Sequence, residues 1–216
     1  MELLSHLLAL DPASPRLTVY NESTGARLDF SAITLDNWAS KVGNMLLEEL
    51  DLEEGSLITI DLPVSWQAAM IMLGALATGV EVSFDDPEAD AIFTSLDRFS
   101  QYEGHSDVLI VSEDPFGRGV VESGGELPNG AIDFGPTVRF YGDQFFQPTR
   151  ALPELISSEL PAGSRVLATG WKDRAEFDTQ VLEPLAVGGS AVIVAGLTTA
   201  ERLEQIATNE KVSMRL

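Results

Sequence analysis

The segment Gly117-Arg118-Gly119-Val120-Val121-Glu122-Ser123-Gly124-Gly125 has the glycine density of a phosphate-binding loop. Such a loop works by bringing backbone N–H groups close to phosphate oxygens and adding a cation. Here Glu122 stands where a G-x-G-x-x-G pattern needs its third glycine. Gly125 stands where a G-x-x-x-x-G-K pattern needs lysine. A carboxylate beside a phosphate costs roughly 4 kcal/mol at about 4 Å and an effective dielectric of about 20. The segment also lacks the strand–turn–helix setting of either motif, so it is expected to be a surface loop. Asp85, Asp86, Glu88 and Asp90 offer oxygen ligands for a hard cation. Their spacing is not that of an EF-hand and Pro87 splits the run, so a solvated acidic turn is expected. His6 and His105 have no ligand-spaced partner, and the chain has no cysteine to complete a zinc site. No serine sits in a G-x-S-x-G setting. No catalytic, cofactor-binding or metal-binding residue is therefore expected.

One cluster remains. Gly170, Trp171, Lys172 and Arg174 follow the apolar run Arg165–Thr169. Ligands of open α/β sheets bind beyond the carboxyl ends of strands. Trp171, with Trp66 and Phe177, is a candidate pocket border. Lys172 and Arg174 supply enough charge to orient one carboxylate. A small, mostly apolar carboxylate is the ligand this cluster suits.

The elements that would position it are legible. RLTVY (16–20) and ARLDF (26–30) alternate apolar and polar residues around the turn formers Asn21, Ser23 and Gly25, which predicts a hairpin. Leu35, Trp38, Val42, Met45, Leu46 and Leu50 recur at helical spacing, with Thr34 as N-cap. LITID (57–61) predicts a buried strand. Ser65 opens an apolar helix ended by Gly79, and VEVSF (80–84) is the next strand. ADAIFT (89–94) and DVLIV (107–111) predict short strands around a helix, and TVRFY (137–141) another strand. A helix is expected from about Thr149 to Glu159. RVLAT (165–169), a helix over 174–187, SAVIVA (190–195), a helix opened by a Thr198–Glu201 capping box, and KVSMRL (211–216) complete the chain. This alternation predicts an α/β fold, with a mainly parallel sheet flanked by helices and an N-terminal β-hairpin. One domain over 1–216 is expected. The glycine-rich 112–130 loop is where two lobes would divide.

The charge of −21, from 34 acidic and 13 basic residues, repels nucleic acid and anionic lipid. It makes polyanions poor guests unless a local basic pocket compensates. The opening MELLSHLLAL lacks the basic start of a signal peptide, and the longest apolar run, Ala68–Ala77, is too short to span a bilayer. With no cysteine, a reducing, cytoplasmic setting is expected, with neither nucleic acid nor membrane as partner.

The stretch LDFSAITLDNWASKVGNMLLEELDLEEGSLITIDLPVSWQAAMIMLGALATGVEVSF resembles the opening of adenylate-forming, acyl-CoA synthetase-like (AMP-binding) enzymes. The resemblance rests on Phe30, Asn44-Met45-Leu46, Gly55, Leu62-Pro63 and Thr78-Gly79. RVLATGWKDRAEFDTQVLEPLAVGGSAVIVAG and ERLEQIATNEKVSMRL resemble that family's segments after its phosphate loop, and the whole is similar to short actinobacterial proteins of this type. The resemblance implies a truncated N-terminal portion of such an enzyme, with the region of Trp171 lining an acyl pocket. It also marks departures. The family's phosphate loop is a Ser/Thr/Gly-rich run ending in Pro-Lys-Gly. The matching region TVRFYGDQFFQPTRALPEL (137–155) has neither that run nor a lysine. The downstream adenine, ribose and lid-lysine motifs have no counterpart in the sequence. The expectation is a pseudoenzyme: a non-catalytic, acidic interaction scaffold or small-ligand binder without cofactor, self-associating as a homodimer. The alternative is one component of a split adenylate-forming enzyme whose C-terminal half another chain supplies.

Overall fold

The computed structural model describes residues 1–216. From the N-terminus, α1 (Ser5–Leu10) leads into the hairpin of β1 (Pro15–Asn21) and β2 (Ala26–Ser31), followed by α2 (Ala32–Glu48). Next come β3 (Leu57–Asp61), α3 (Trp66–Thr78), β4 (Glu81–Ser83), β5 (Ala91–Thr94), β6 (Val108–Ile110), β7 (Ile132–Asp133) and α4 (Phe134–Phe140). The chain ends with α5 (Leu152–Leu155), β8 (Arg165–Ala168), α6 (Arg174–Phe177), α7 (Glu183–Ala186), β9 (Ser190–Ala195), α8 (Ala200–Asn209) and β10 (Met214–Arg215). It divides into two compact units, one of residues 37–147 with Met1, the other of residues 2–36 with 148–216. The 112–130 segment lies inside the first.

The first unit holds a parallel five-stranded sheet in the order β4-β3-β5-β6-β7. Strand order reverses between β3 and β5. Helix α3 forms as its sequence dictates. Ser65 Oγ accepts from the Ala68 N–H at 3.3 Å, and Gly79 closes the far end at φ 75°, a left-handed conformation that glycine takes without steric cost. Nearly every residue of α3 is buried, as expected of a helix apolar all round. Gly74 is required there, because a Cβ would stand 2.4 Å from Val42 Cγ1 on α2.

The second unit holds the order β10-β8-β9-β1-β2. All its pairs are parallel except β1–β2. Asn21 Oδ1 accepts from the N–H groups of Ser23 and Thr24 at 3.0 and 3.2 Å, which fixes the hairpin turn. Tyr20, Leu167, Val192 and Val194 pack against Ile206 and Ala207 of α8 as its core. β10 is at the sheet edge.

Several expectations are corrected. TVRFY is not a strand. Phe134, Val138 and Tyr141 are buried while Arg139 and Phe140 are exposed, a helical spacing, and the helix begins before it, with Pro136 in the first turn where its missing N–H costs nothing. Residues 149–159 hold only the short α5. Between β5 and β6 there is a single 3-10 turn at Phe99–Tyr102. The helix over 174–187 is interrupted by a π-helical turn at Asp178–Leu182, where the Glu183 N–H reaches back to the Asp178 carbonyl. Pro184 has no N–H to give the Gln180 carbonyl, so the regular ladder cannot pass that point. Ser31, not Thr34, caps α2: its Oγ accepts from the Thr34 N–H at 3.3 Å. Thr199, not Thr198, caps α8, with its hydroxyl accepting from the Arg202 N–H at 3.1 Å.

Candidate functional site

At the carboxyl end of β8, Gly170 turns the chain at φ 99° and delivers Trp171 to a buried position. The indole meets Phe177 edge to face, with centroids 4.7 Å apart. Trp66 is stacked likewise on Trp38 in the first unit, at 4.9 Å. Lys172 extends into solvent with Nζ 3.6 Å from Glu176, and Arg174 Nε donates to Asp178 Oδ1 at 2.6 Å. Each cation of the expected cluster thus has its own acid one turn along. Gln180, in the π-helical turn, donates to the Gly170 carbonyl at 2.9 Å, while its own side-chain oxygen is buried without a partner.

The carboxyl ends of β5 and β6 carry a more open geometry. Ser95, Leu96 and Asp97 after β5, and Val111, Ser112 and Glu113 after β6, border a cleft of about 590 Å³. Val120, Ser123 and Gly125 close it from the 112–130 segment. Its walls are the apolar Leu96, Val111 and Val120, with two carboxylates at the rim. Ser95 Oγ donates to Asp97 Oδ1 at 2.5 Å, and this bond holds the Asp97 carboxyl below its ordinary range, so it is charged at neutral pH.

The glycine-rich segment is a built structure. Asp133 accepts from the N–H groups of Val120 and Val121 at 3.0 and 3.2 Å, and Glu122 accepts from Gly119 at 2.8 Å. Asp114 accepts from Phe116 and from the Arg118 guanidinium. The backbone donors that a phosphate would need are already given to carboxylates. Sequence reading placed this segment in a surface loop. It missed that Asp133, more than ten residues away, ties the loop over the cleft.

In the segment 137–155, carbonyls among residues 141–144 face α2. Lys41 Nζ donates to the Tyr141 carbonyl at 2.7 Å, and Asn44 Nδ2 donates to the Gly142 and Gln144 carbonyls, both at 3.0 Å. Tyr141 donates to Glu49 at 2.5 Å; burial and this carboxylate push its hydroxyl up to about 12. Two of the acids near Asp85 are engaged by backbone: Asp86 accepts from the Glu88 N–H of its own turn at 2.9 Å, and Asp90 from the Leu57 N–H at the start of β3 at 2.8 Å. No group of three or more His, Asp or Glu side chains is arranged to hold a metal. His6 and His105 each meet a backbone carbonyl, of Leu185 and Ala89 respectively. No helix is long and apolar enough to cross a membrane.

No family model matches the sequence. Among solved structures, the fold is similar to an acyl-CoA synthetase from Brucella canis, with TM-score 0.74 at 16% identity over 99% of this chain and 47% of that one. It is also similar to an anthranilate CoA ligase solved with anthranoyl-AMP, with TM-score 0.71 at 13% identity over 100% of this chain and 49% of that one. The fold is therefore that of part of acyl-CoA synthetase-like enzymes, and the chain spans about half the length of the solved structures it matches. A TIGR03089 family protein from Mycobacterium tuberculosis is 34% identical, with the alignment covering 98% of this chain and 95% of that protein. On that identity and coverage, the chain belongs to the TIGR03089 family.

Proposed function

We propose that the chain is a non-catalytic, acyl-CoA synthetase-like scaffold that holds a small ligand at the carboxyl ends of its parallel strands. The observation that carries this reading is the cleft of about 590 Å³ beyond β5 and β6, within the size range of small-molecule sites, whose exposed surface is mainly apolar although serines and two carboxylates also border it. The region in the place of a phosphate loop supports the non-catalytic half of the reading. Its carbonyls are held by Lys41 and Asn44, and it has no lysine of its own. A carboxylate drives away the substrate phosphates that adenylation must hold, and Asp143 stands in this region.

The charged rim decides the ligand class. Asp97 and Glu113 repel a carboxylate or a polyphosphate and favour a small, mostly apolar molecule that is neutral or carries an amine. A carboxylate near Trp171 would have to compete with Glu176 and Asp178 for Lys172 and Arg174. The coverage of about half of each solved enzyme supports a second reading, in which another chain supplies the remaining half of an adenylate-forming site.

A thermal-shift screen of small neutral, amine and carboxylate compounds tests the first reading. A ligand at about 100 times its Kd stabilises by about 2.7 kcal/mol. Leu96 is substantially exposed, so Leu96→Lys adds charge to the cleft with little cost to folding. The expected result is a neutral or amine hit whose shift Leu96→Lys abolishes and Lys172→Gln leaves intact. A hit that is lost in Lys172→Gln and kept in Leu96→Lys would overturn the placement of the site.

A further inference from the structure

A second cavity of about 590 Å³ lies in the other unit, at the amino ends of its parallel strands. Register explains how it forms. Arg165 is paired with Ser190, and Leu17 with Ala191, so Arg16, Ser190 and Arg165 stand in a row across β1, β9 and β8. Arg27 and Asp29 reach in from β2, and Glu210 and Lys211 from the end of α8. The lining thus contains four of the 13 basic residues in a chain of charge −21, and two carboxylates.

The two carboxylates are already engaged. Glu210 accepts from Arg27 Nε at 2.8 Å, from Arg165 Nη2 at 2.5 Å and from the Tyr20 hydroxyl at 2.6 Å. Asp29 pairs with Arg27 and accepts from Thr18 at 2.7 Å. Arg165 Nε also covers the Glu210 carbonyl, the end of α8 that would otherwise oppose an anion. That leaves Arg16 and Lys211. Arg16 is 8% exposed. Its Nη1 donates to the carbonyls of Gly188 and Gly189 at 2.7 and 3.2 Å, and its Nε is buried without a partner. No carboxylate is within ion-pair distance of it. Asp11 acts on it only through space, and desolvation pulls its pKa down. A buried guanidinium without a counter-ion is costly, and buried charges are ordinarily paired. Lys211 is exposed, beside the same cavity, and makes no ion pair.

We propose that this cavity binds a small oxyanion, the phosphate or carboxylate group of a ligand, with Arg16 and Lys211 as its uncompensated cations. It is a different site from the cleft beyond β5 and β6 and takes ligands of the opposite charge. Its position at the amino ends of β8 and β9 separates it from Trp171, which follows the carboxyl end of β8. Two local cations suffice for one anionic group and fall short of a triphosphate.

The test is a titration of the full chain with sodium phosphate or sodium acetate, against sodium chloride at matched ionic strength, read as thermal midpoint. Phosphate or acetate is expected to raise the midpoint beyond chloride, and the more effective of the two identifies the group. Lys211→Glu, on an exposed residue, is expected to weaken the apparent affinity about tenfold, the size of a reversed surface pair. Arg16→Met is expected to abolish the response; should it fail to fold by circular dichroism, Lys211→Glu alone decides. No increment over chloride with either anion, or an increment unchanged by Lys211→Glu, would overturn the proposal.

Discussion

At the carboxyl end of the second sheet, Lys172 and Arg174 each have an acid one helical turn away. At its amino end, four cations share two carboxylates. Residue types at the two ends are alike, so composition does not distinguish them. Pairing does. The carboxyl-end cations stand just before and at the start of α6, and acids four residues further on pair with them, an arrangement written into local sequence. The amino-end cations come from three strands and from the end of α8, and only the register brings them together. A charge becomes available to a ligand when the fold, not the helix, decides its neighbours.

The largest loss of stability is expected at Trp171. If the carboxyl end is packed and not open, Trp171→Ala removes a buried ring from Phe177 and destabilises by about 3–5 kcal/mol in denaturant unfolding. A loss under about 1 kcal/mol would mean that Trp171 borders open space, and the contrast between the two ends would fail.

Glu210 sharpens the other side. Burial alone would raise its pKa, but hydrogen bonds from Arg27, Tyr20 and Arg165 win and hold it at about 2. Its folded value is below its unfolded value. The stability it contributes is therefore fully present above about pH 4.5 and is lost as pH falls toward about 2. After allowance for solvent screening, this amounts to about 1–2 kcal/mol. Glu210→Gln should lower stability at pH 7 by that order, flatten the acid limb of the unfolding curve between those pH values, and tighten phosphate binding by freeing Arg165. An acid limb identical to that of the unaltered protein would contradict the assignment.

Much of this fold is legible from local signals. Ser65 and Gly79 mark both ends of α3, and Asn21 with Gly25 marks the hairpin, because caps and turns are decided by residues within four positions. What failed was alternation read over too few residues. In TVRFY, Val138 and Phe140 suggest a strand, but the helix starts upstream at Phe134, and burial follows Phe134, Val138 and Tyr141. Pro184 is the local signal for the interruption at Asp178–Leu182. The sites were less legible than the fold. Trp171 is legible as an aromatic after a strand, a local feature; its burial against Phe177 is not. Arg16 opens RLTVY and Arg165 opens RVLAT, a repeated basic start to strands of one sheet, and that was the available sign of the anion cavity. Asp133 holding the 112–130 segment gave no comparable sign, since its partners Val120 and Val121 use only backbone.

Acid-dependent exchange of pyrophosphate into ATP, measured on the purified chain with a panel of carboxylic acids, separates a non-catalytic scaffold from an adenylating enzyme. Residues 137–155 present carbonyls held by Lys41 and Asn44 and carry no lysine, so the isolated chain is expected to give exchange at the level of a protein-free control. Exchange that scales with protein concentration, depends on the added acid and survives repurification would contradict it.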